Sequence, residues 1–168
     1  PVLHVMAARI DGNDIVGCRR GAITALGFCG PGASMRITHN QFNIGGAGIS
    51  AAVDGLWIQG NKLAAPLQGG NQQVAGAGIV LRTGLDPNGS DQCQIVSNQI
   101  SGFAGAGIAI QSPVRDLIVK LNQIERCGNG IVTEDETNSA SVSIENNHVS
   151  DIGAAAGEQT AFVVGILV

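Results

Sequence analysis

Aromatic residues are scarce in this chain of 168 residues, which has four Phe, one Trp and no Tyr. Large rings usually dominate a core, so this interior has to be assembled from Ile, Val, Leu and Ala. Charge is scarce too, at 13% of residues, which excludes a coiled coil and a charged disordered tail. Nine Lys and Arg face thirteen Asp and Glu, and no basic block or stripe occurs. A nucleic-acid backbone therefore has no electrostatic footprint to bind. The longest largely apolar stretch is the last eight residues, AFVVGILV, far short of the roughly 20 that span a bilayer as a helix. Neither nucleic acid nor membrane is expected as a partner. No charged segment leading into an apolar one follows Pro1, so no secretory leader is read there. Cys18, Cys29, Cys93 and Cys127 form no C-x-x-C pair, and no His lies at zinc-ligand spacing, so a structural zinc is not expected. Buried free thiols acting as small hydrophobes are the expectation, with a local Cys18–Cys29 disulfide as the alternative.

Glycine, by contrast, is abundant at 25 residues, yet it does not recur every third position, and collagen is excluded. Its placement follows an internal repeat. The eight-residue pattern MRITHNQF from Met35 returns as LWIQGNKL from Leu56, CQIVSNQI from Cys93, LIVKLNQI from Leu117 and VSIENNHV from Val142. The first, third and eighth positions are apolar and the sixth is Asn. LHVMAARI from Leu3 is read as a first copy, with Ala8 where the Asn should stand. A second pattern follows each copy: GAGI at Gly46, Gly76 and Gly105, GNGI at Gly128, and degenerate forms near Ile23 and Ile166. Alternation within the first pattern is the period of a strand with one buried face. Each repeat thus supplies a strand, a turn at the Asn, a Gly-rich bend and a second strand beginning at the Ile. Where loops are short the period is about 21 to 25 residues, which fits one coil of a parallel β-helix.

This strand–Asn–turn–G-x-G-I coil resembles the right-handed parallel β-helix repeat of the pectin lyase-like superfamily, over nearly the whole chain. The expected fold is all-β, a right-handed parallel β-helix of about six coils in a single domain, residues 1–168. Stacking sets equivalent residues about 4.8 Å apart, so Asn40, Asn61, Asn98, Asn122 and Asn147 should form a ladder. Their amides can donate to the next carbonyl and to turn backbone. Ile37, Ile58, Ile95, Val119 and Ile144 should make one inner stack, and Ile49, Ile79, Ile108, Ile131 and Ile166 another. Gly48, Gly78, Gly107 and Gly130 are read as bends with positive φ or close approach to a neighbouring coil. Open apolar ends are liabilities, so more chain or another subunit is expected to cover them.

Function in such a solenoid belongs to outward side chains and loops. The outward second positions read His4, Arg36, Trp57, Gln94, Ile118 and Ser143, and the fourth read Met6, Thr38, Gln59, Val96, Lys120 and Glu145. Trp57, the single Trp, is a candidate platform for a sugar ring, flanked by Arg36, Gln59 and Gln94. The competing reading buries it under an inserted loop or a partner subunit. What the resemblance implies for catalysis is a calcium held by several Asp with an Arg or Lys base, or clustered Asp with His and Lys. Neither arrangement is recognisable. Glycoside hydrolysis needs two facing carboxylates, whereas Glu134, Asp135 and Glu136 read as a solvated loop. Calcium is the one cofactor weighed: Asp86 to Asp91 is a faint match to a calcium loop, but Ser97 replaces the Glu at its twelfth position. A Pro-Asn-Gly turn explains that segment better. His4, His39 and His148 share no evident site, and the first two insertions, after Asn61 and Asn147, carry almost no charge.

The expectation is a non-catalytic module, a rigid spacer or a glycan- or protein-binding surface of a bacterial surface, secreted or phage-derived protein. An extracellular or cell-surface location goes with it. The alternative is a polysaccharide lyase or glycoside hydrolase fragment acting on an acidic glycan, which fold analogy alone supports.

Overall fold

The structure, a computed structural model, describes residues 7–26, 34–66, 76–82, 90–111, 113–133, 140–153 and 166–167. All its regular elements are strands, arranged in three parallel sheets that wrap around one core. The first sheet stacks Ala7–Asp11, Ser34–Thr38, Leu56–Gln59, Gln94–Val96, Val114–Lys120 and Ala140–Glu145, with Ser90–Asp91 added beside Val114–Lys120. The second stacks Asp14–Val16, Gln41–Asn43, Lys62–Ala64, Gln99–Ser101, Gln123–Glu125 and His148–Ser150. The third stacks Gly21–Leu26, Ala47–Ala52, Ile79–Arg82, Ala106–Gln111, Asn129–Thr133 and Ile166–Leu167. Each coil contributes one strand to each sheet, giving a parallel β-helix of six coils. Three strands per coil is one more than the sequence pattern implies. The residues after the Asn, positions seven to nine, turn the corner and form a sheet of their own.

The core is three columns of aliphatic side chains. Ile37, Ile58, Ile95 and Val119 fill the column inside the first sheet, and Phe42, Leu63, Ile100 and Ile124 that inside the second. Ile49, Ile79, Ile108 and Ile131 line the third. Each buried member contributes roughly 1.5–3 kcal/mol. Glycine opens the third sheet because two coils come together there. A Cβ on Gly48 would lie 2.1 Å from the Gly78 carbonyl oxygen and 2.6 Å from Cδ2 of Leu63. Close approach, rather than positive φ, is what requires Gly at that position.

The corner between the first and second sheets is where the Asn belongs. Its preceding residue is left-handed in every coil: Gly12, His39, Gly60, Ser97, Leu121 and Asn146 have φ between 53° and 68°. That twist turns the Asn side chain inward. Asn40, Asn61, Asn98 and Asn122 are buried, and each Nδ2 donates to the Oδ1 of the next coil's Asn at 2.9–3.0 Å. The backbone N–H of each donates to that same oxygen at 2.9–3.0 Å. The second Nδ2 proton reaches back to the preceding coil, to the carbonyls of Ile10, Ile37, Ile58 and Ile95. The ladder therefore has a direction, with donors facing the C-terminal end and acceptors the N-terminal end.

The first coil corrects the repeat boundary. Ala8, Arg9, Ile10 and Asp11 pair with Met35, Arg36, Ile37 and Thr38, so the copy is ARIDGNDI from Ala8 rather than LHVMAARI from Leu3. Asn13 is its ladder residue, donating to Oδ1 of Asn40 through Nδ2 and through its backbone N–H, both at 2.9 Å. Ala8 is not a missing Asn. Alternating apolar residues at Leu3, Val5 and Ala7 imitate the strand period, and the Asn is the part of the motif with a geometric role.

Candidate functional site

Outward residues of the first sheet form one continuous face. Parallel register puts Arg36, Trp57 and Gln94 on three successive coils. Gln59 stands two residues from Trp57 and therefore on the same side of the sheet. All four predicted binding residues are thus brought together. Arg36 is exposed, while Trp57, Gln59 and Gln94 are half-buried. The Arg36 guanidinium lies over the Trp57 ring, 5.2 Å from its centroid, a cation–π contact worth about 0.5–1 kcal/mol at an exposed site. One face of the indole is thereby occupied. A sugar ring cannot stack there unless Arg36 swings away. The indole Nε1 is buried without a hydrogen-bond partner among the described residues, at a cost of about 1–3 kcal/mol.

The corrected register extends this face in the N-terminal direction. Arg9, not His4, stacks on Arg36, and Asp11 takes the fourth position beside Thr38 and Gln59. His4 and Met6 lie outside the described residues. Asp11 is the hub of a small network. Arg9 Nη2 donates to its Oδ2 at 2.5 Å, and the Thr38 hydroxyl to its Oδ1 at 2.5 Å. The His39 Nδ1 also meets Oδ1, at 3.2 Å. The hydrogen bond from Thr38, then those from His39 and Arg9, hold the Asp11 carboxyl down at about 2. Sequence reasoning missed Arg9 and Asp11 through the five-residue slip. The signal that finds them is Asn13 at the sixth position, preceded by Gly12 as Asn61 is by Gly60. At the far end of this row Lys120 and Glu145 are register neighbours, and the Glu145 carboxylate accepts the Ser143 hydroxyl at 2.5 Å.

The second sheet also carries an outward row, Gln41, Lys62, Gln99, Gln123 and His148. A shallow groove of 180 Å³ lies on it, lined by Lys62, Gln99, Ser101, Gln123, Glu125 and Arg126 together with Ile100. The Gln123 amide donates to the Glu125 carboxylate inside it. This surface offers hydrogen-bonding groups of both kinds and little apolar area.

Among the described residues no group of three or more His, Cys, Asp or Glu is placed to share a metal ion. The segment 83–89, the acidic run 134–136 and most of both insertions lie outside the described residues. Asp91, which follows the first of these, donates its backbone N–H to Asp54 Oδ1 at 3.0 Å and keeps one buried carboxylate oxygen without a partner among the described residues. Cys18, Cys93 and Cys127 are free thiols, and Cys29 lies outside the described residues. Cys93 and Cys127 are fully buried. Burial pushes the Cys93 thiol up to about 12, and also raises that of Cys127, so both behave as core hydrophobes. His39 and His148 occupy separate faces, a corner and the second sheet.

Neither the curated proteins nor the solved structures include a match to this sequence. A family model described as "Right handed beta helix region" matches residues 2–164, and with six coils of three parallel strands in register the chain belongs to the right-handed β-helix family.

Proposed function

We propose that the protein is a non-catalytic β-helix module whose first sheet presents a binding surface to a polysaccharide or protein partner at a cell surface or outside the cell. The observation that carries this reading is the alignment of Arg36, Trp57 and Gln94 on three successive coils with Gln59 alongside. Spaced by about 4.8 Å, these groups offer guanidinium and amide hydrogen bonds along a line, beside a half-buried indole. That suits the hydroxyls of an uncharged glycan better than the carboxylates of a polyuronate, because the chain carries a net charge of −4. On this face Glu145 accepts the Ser143 hydroxyl, and Asp11 is already held by three donors and kept ionised. A carboxyl with that proton affinity makes a weak general base at neutral pH.

Glycan-array screening followed by calorimetry tests the surface. Binding is expected in the parent protein and lost in Trp57→Ala and Gln94→Ala, with Gln41→Ala, on the second sheet, unaffected. Binding that survives both first-sheet substitutions would overturn the assigned face. Unsaturated or reducing ends released from polygalacturonate or alginate in the presence of calcium would overturn the non-catalytic reading and favour a polysaccharide lyase or hydrolase.

A further inference from the structure

Two rows of outward residues cross the middle of the second sheet. Parallel register sets Lys62, Gln99 and Gln123 on three successive coils, and beside them Ala64, Ser101 and Glu125, with about 4.8 Å between neighbours in a row. Leu63, Ile100 and Ile124, between the rows, are buried, so both rows face outward. The short side chain of Ser101 stands among long ones, and the hollow this leaves is the groove of about 180 Å³ bounded by Lys62, Gln99, Gln123, Glu125 and Arg126. Inside it the Gln123 amide N–H donates to the Glu125 carboxylate. That bond fixes the two side chains against each other and leaves the Gln123 carbonyl oxygen as an acceptor.

The charges around this hollow are of both signs. A bare anion meets the Glu125 carboxylate, and a cation meets the Lys62 ammonium and the Arg126 guanidinium. Hydroxyl groups answer both, because each donates one bond and accepts others. The volume lies below the roughly 300–1,000 Å³ of pockets for drug-sized ligands, which limits the occupant to a single ring. We propose that the groove is a second binding site, separate from the first-sheet surface, for one uncharged polyhydroxyl unit of the size of a hexose. Lys62 and the Gln99 amide donate to its oxygens, Glu125 and the Gln123 carbonyl accept from its hydroxyls, and Ser101 does either at the floor. The groove has no aromatic ring to stack on, so the hydroxyl pattern sets the selectivity and the dissociation constant is about millimolar.

Titration of the isotope-labelled protein with free glucose, galactose and mannose, followed by NMR, reads the side-chain amides of Gln99 and Gln123 and the backbone amide of Ser101. These signals should shift and saturate with at least one of the sugars, in Trp57→Ala as in the parent. Ser101→Phe fills the hollow and should abolish the shifts. Glu125→Gln, which keeps the shape and removes the charge, should weaken binding at least about tenfold and keeps the test valid if Ser101→Phe unfolds. No saturable shift with any of the three sugars up to about 100 mM overturns the proposal, as do shifts that persist in a folded Ser101→Phe, are unchanged in Glu125→Gln or vanish in Trp57→Ala. Tighter binding of glucuronate or glucosamine than of glucose would overturn the assigned ligand chemistry.

Discussion

Replacing Asn98 by Leu isolates the ladder from the rest of the fold. The two side chains are alike in shape, the position is buried, and the change removes polar atoms with little change in packing. Asn98 Oδ1 accepts the Asn61 backbone N–H and the Asn61 Nδ2, both at 3.0 Å. Its Nδ2 donates to Asn122 Oδ1 and the Ile58 carbonyl, again at 3.0 Å. In Asn98→Leu two buried donors of Asn61 lose their acceptor. At about 1–3 kcal/mol for each stranded group, less about 1.5–3 kcal/mol from burying the new aliphatic side chain, the net loss is about 2 kcal/mol. Gln99→Leu, the next residue and exposed, should change stability by no more than about 0.5 kcal/mol. Urea unfolding followed by far-UV circular dichroism and by Trp57 fluorescence compares them, with coincident transitions required before midpoints become free energies. A loss in Asn98→Leu no larger than in Gln99→Leu would refute the ladder as a source of stability.

Leu121 holds a left-handed conformation, φ 57°, with a side chain 56% exposed. Leu121→Gly should therefore raise stability by about 1 kcal/mol, as thermal or urea unfolding will read, because Gly relieves the strain and the largely exposed side chain loses little packing; a destabilised variant would mean that the corner is not strained. Gly48→Ala should cost about 2 kcal/mol or more, because the obstacle is backbone. Gly21→Ala should be tolerated, since its Cβ would meet nothing closer than 3.8 Å; equal effects would sink the close-approach argument. The Asp11 carboxyl sits at about 2 in the folded chain, below its ordinary unfolded value of about 3.9. Its contribution is thus complete above pH 4 and is lost as pH falls toward 2. Urea midpoints should fall less between pH 4 and pH 2 in Asp11→Asn than in the parent, and parallel losses would contradict the assigned network.

Five of the six coils were legible because each position of the repeat answers a physical demand: an apolar residue where a strand faces inward, and Asn where a corner leaves backbone groups to be satisfied. The slip in the first coil shows which demand is the more informative. Alternation alone matched Leu3 to Ile10, whereas the Gly12–Asn13 pair marks a corner that only a left-handed residue followed by Asn builds. The second sheet was hidden for a related reason. Strands such as Gln41–Asn43 and Lys62–Ala64 are three residues long, too short for any periodicity to separate them from the turn. The gathering of Arg36, Trp57, Gln59 and Gln94 followed from the register and could be read in advance. The Arg36 guanidinium over the indole could not, because a repeat pattern specifies which face a side chain leaves but not its rotamer.

Amide hydrogen exchange at the ladder corners tests the architecture most directly. Asn40, Asn61, Asn98 and Asn122 lie outside every strand, yet each backbone N–H donates to a buried Oδ1 in the next coil. Their exchange should be slowed to within about tenfold of the neighbouring core strand amides, opening only with the coils themselves. Corner amides exchanging at the rate of an exposed turn, while the strands stay protected, would contradict a fold held in register by its asparagines.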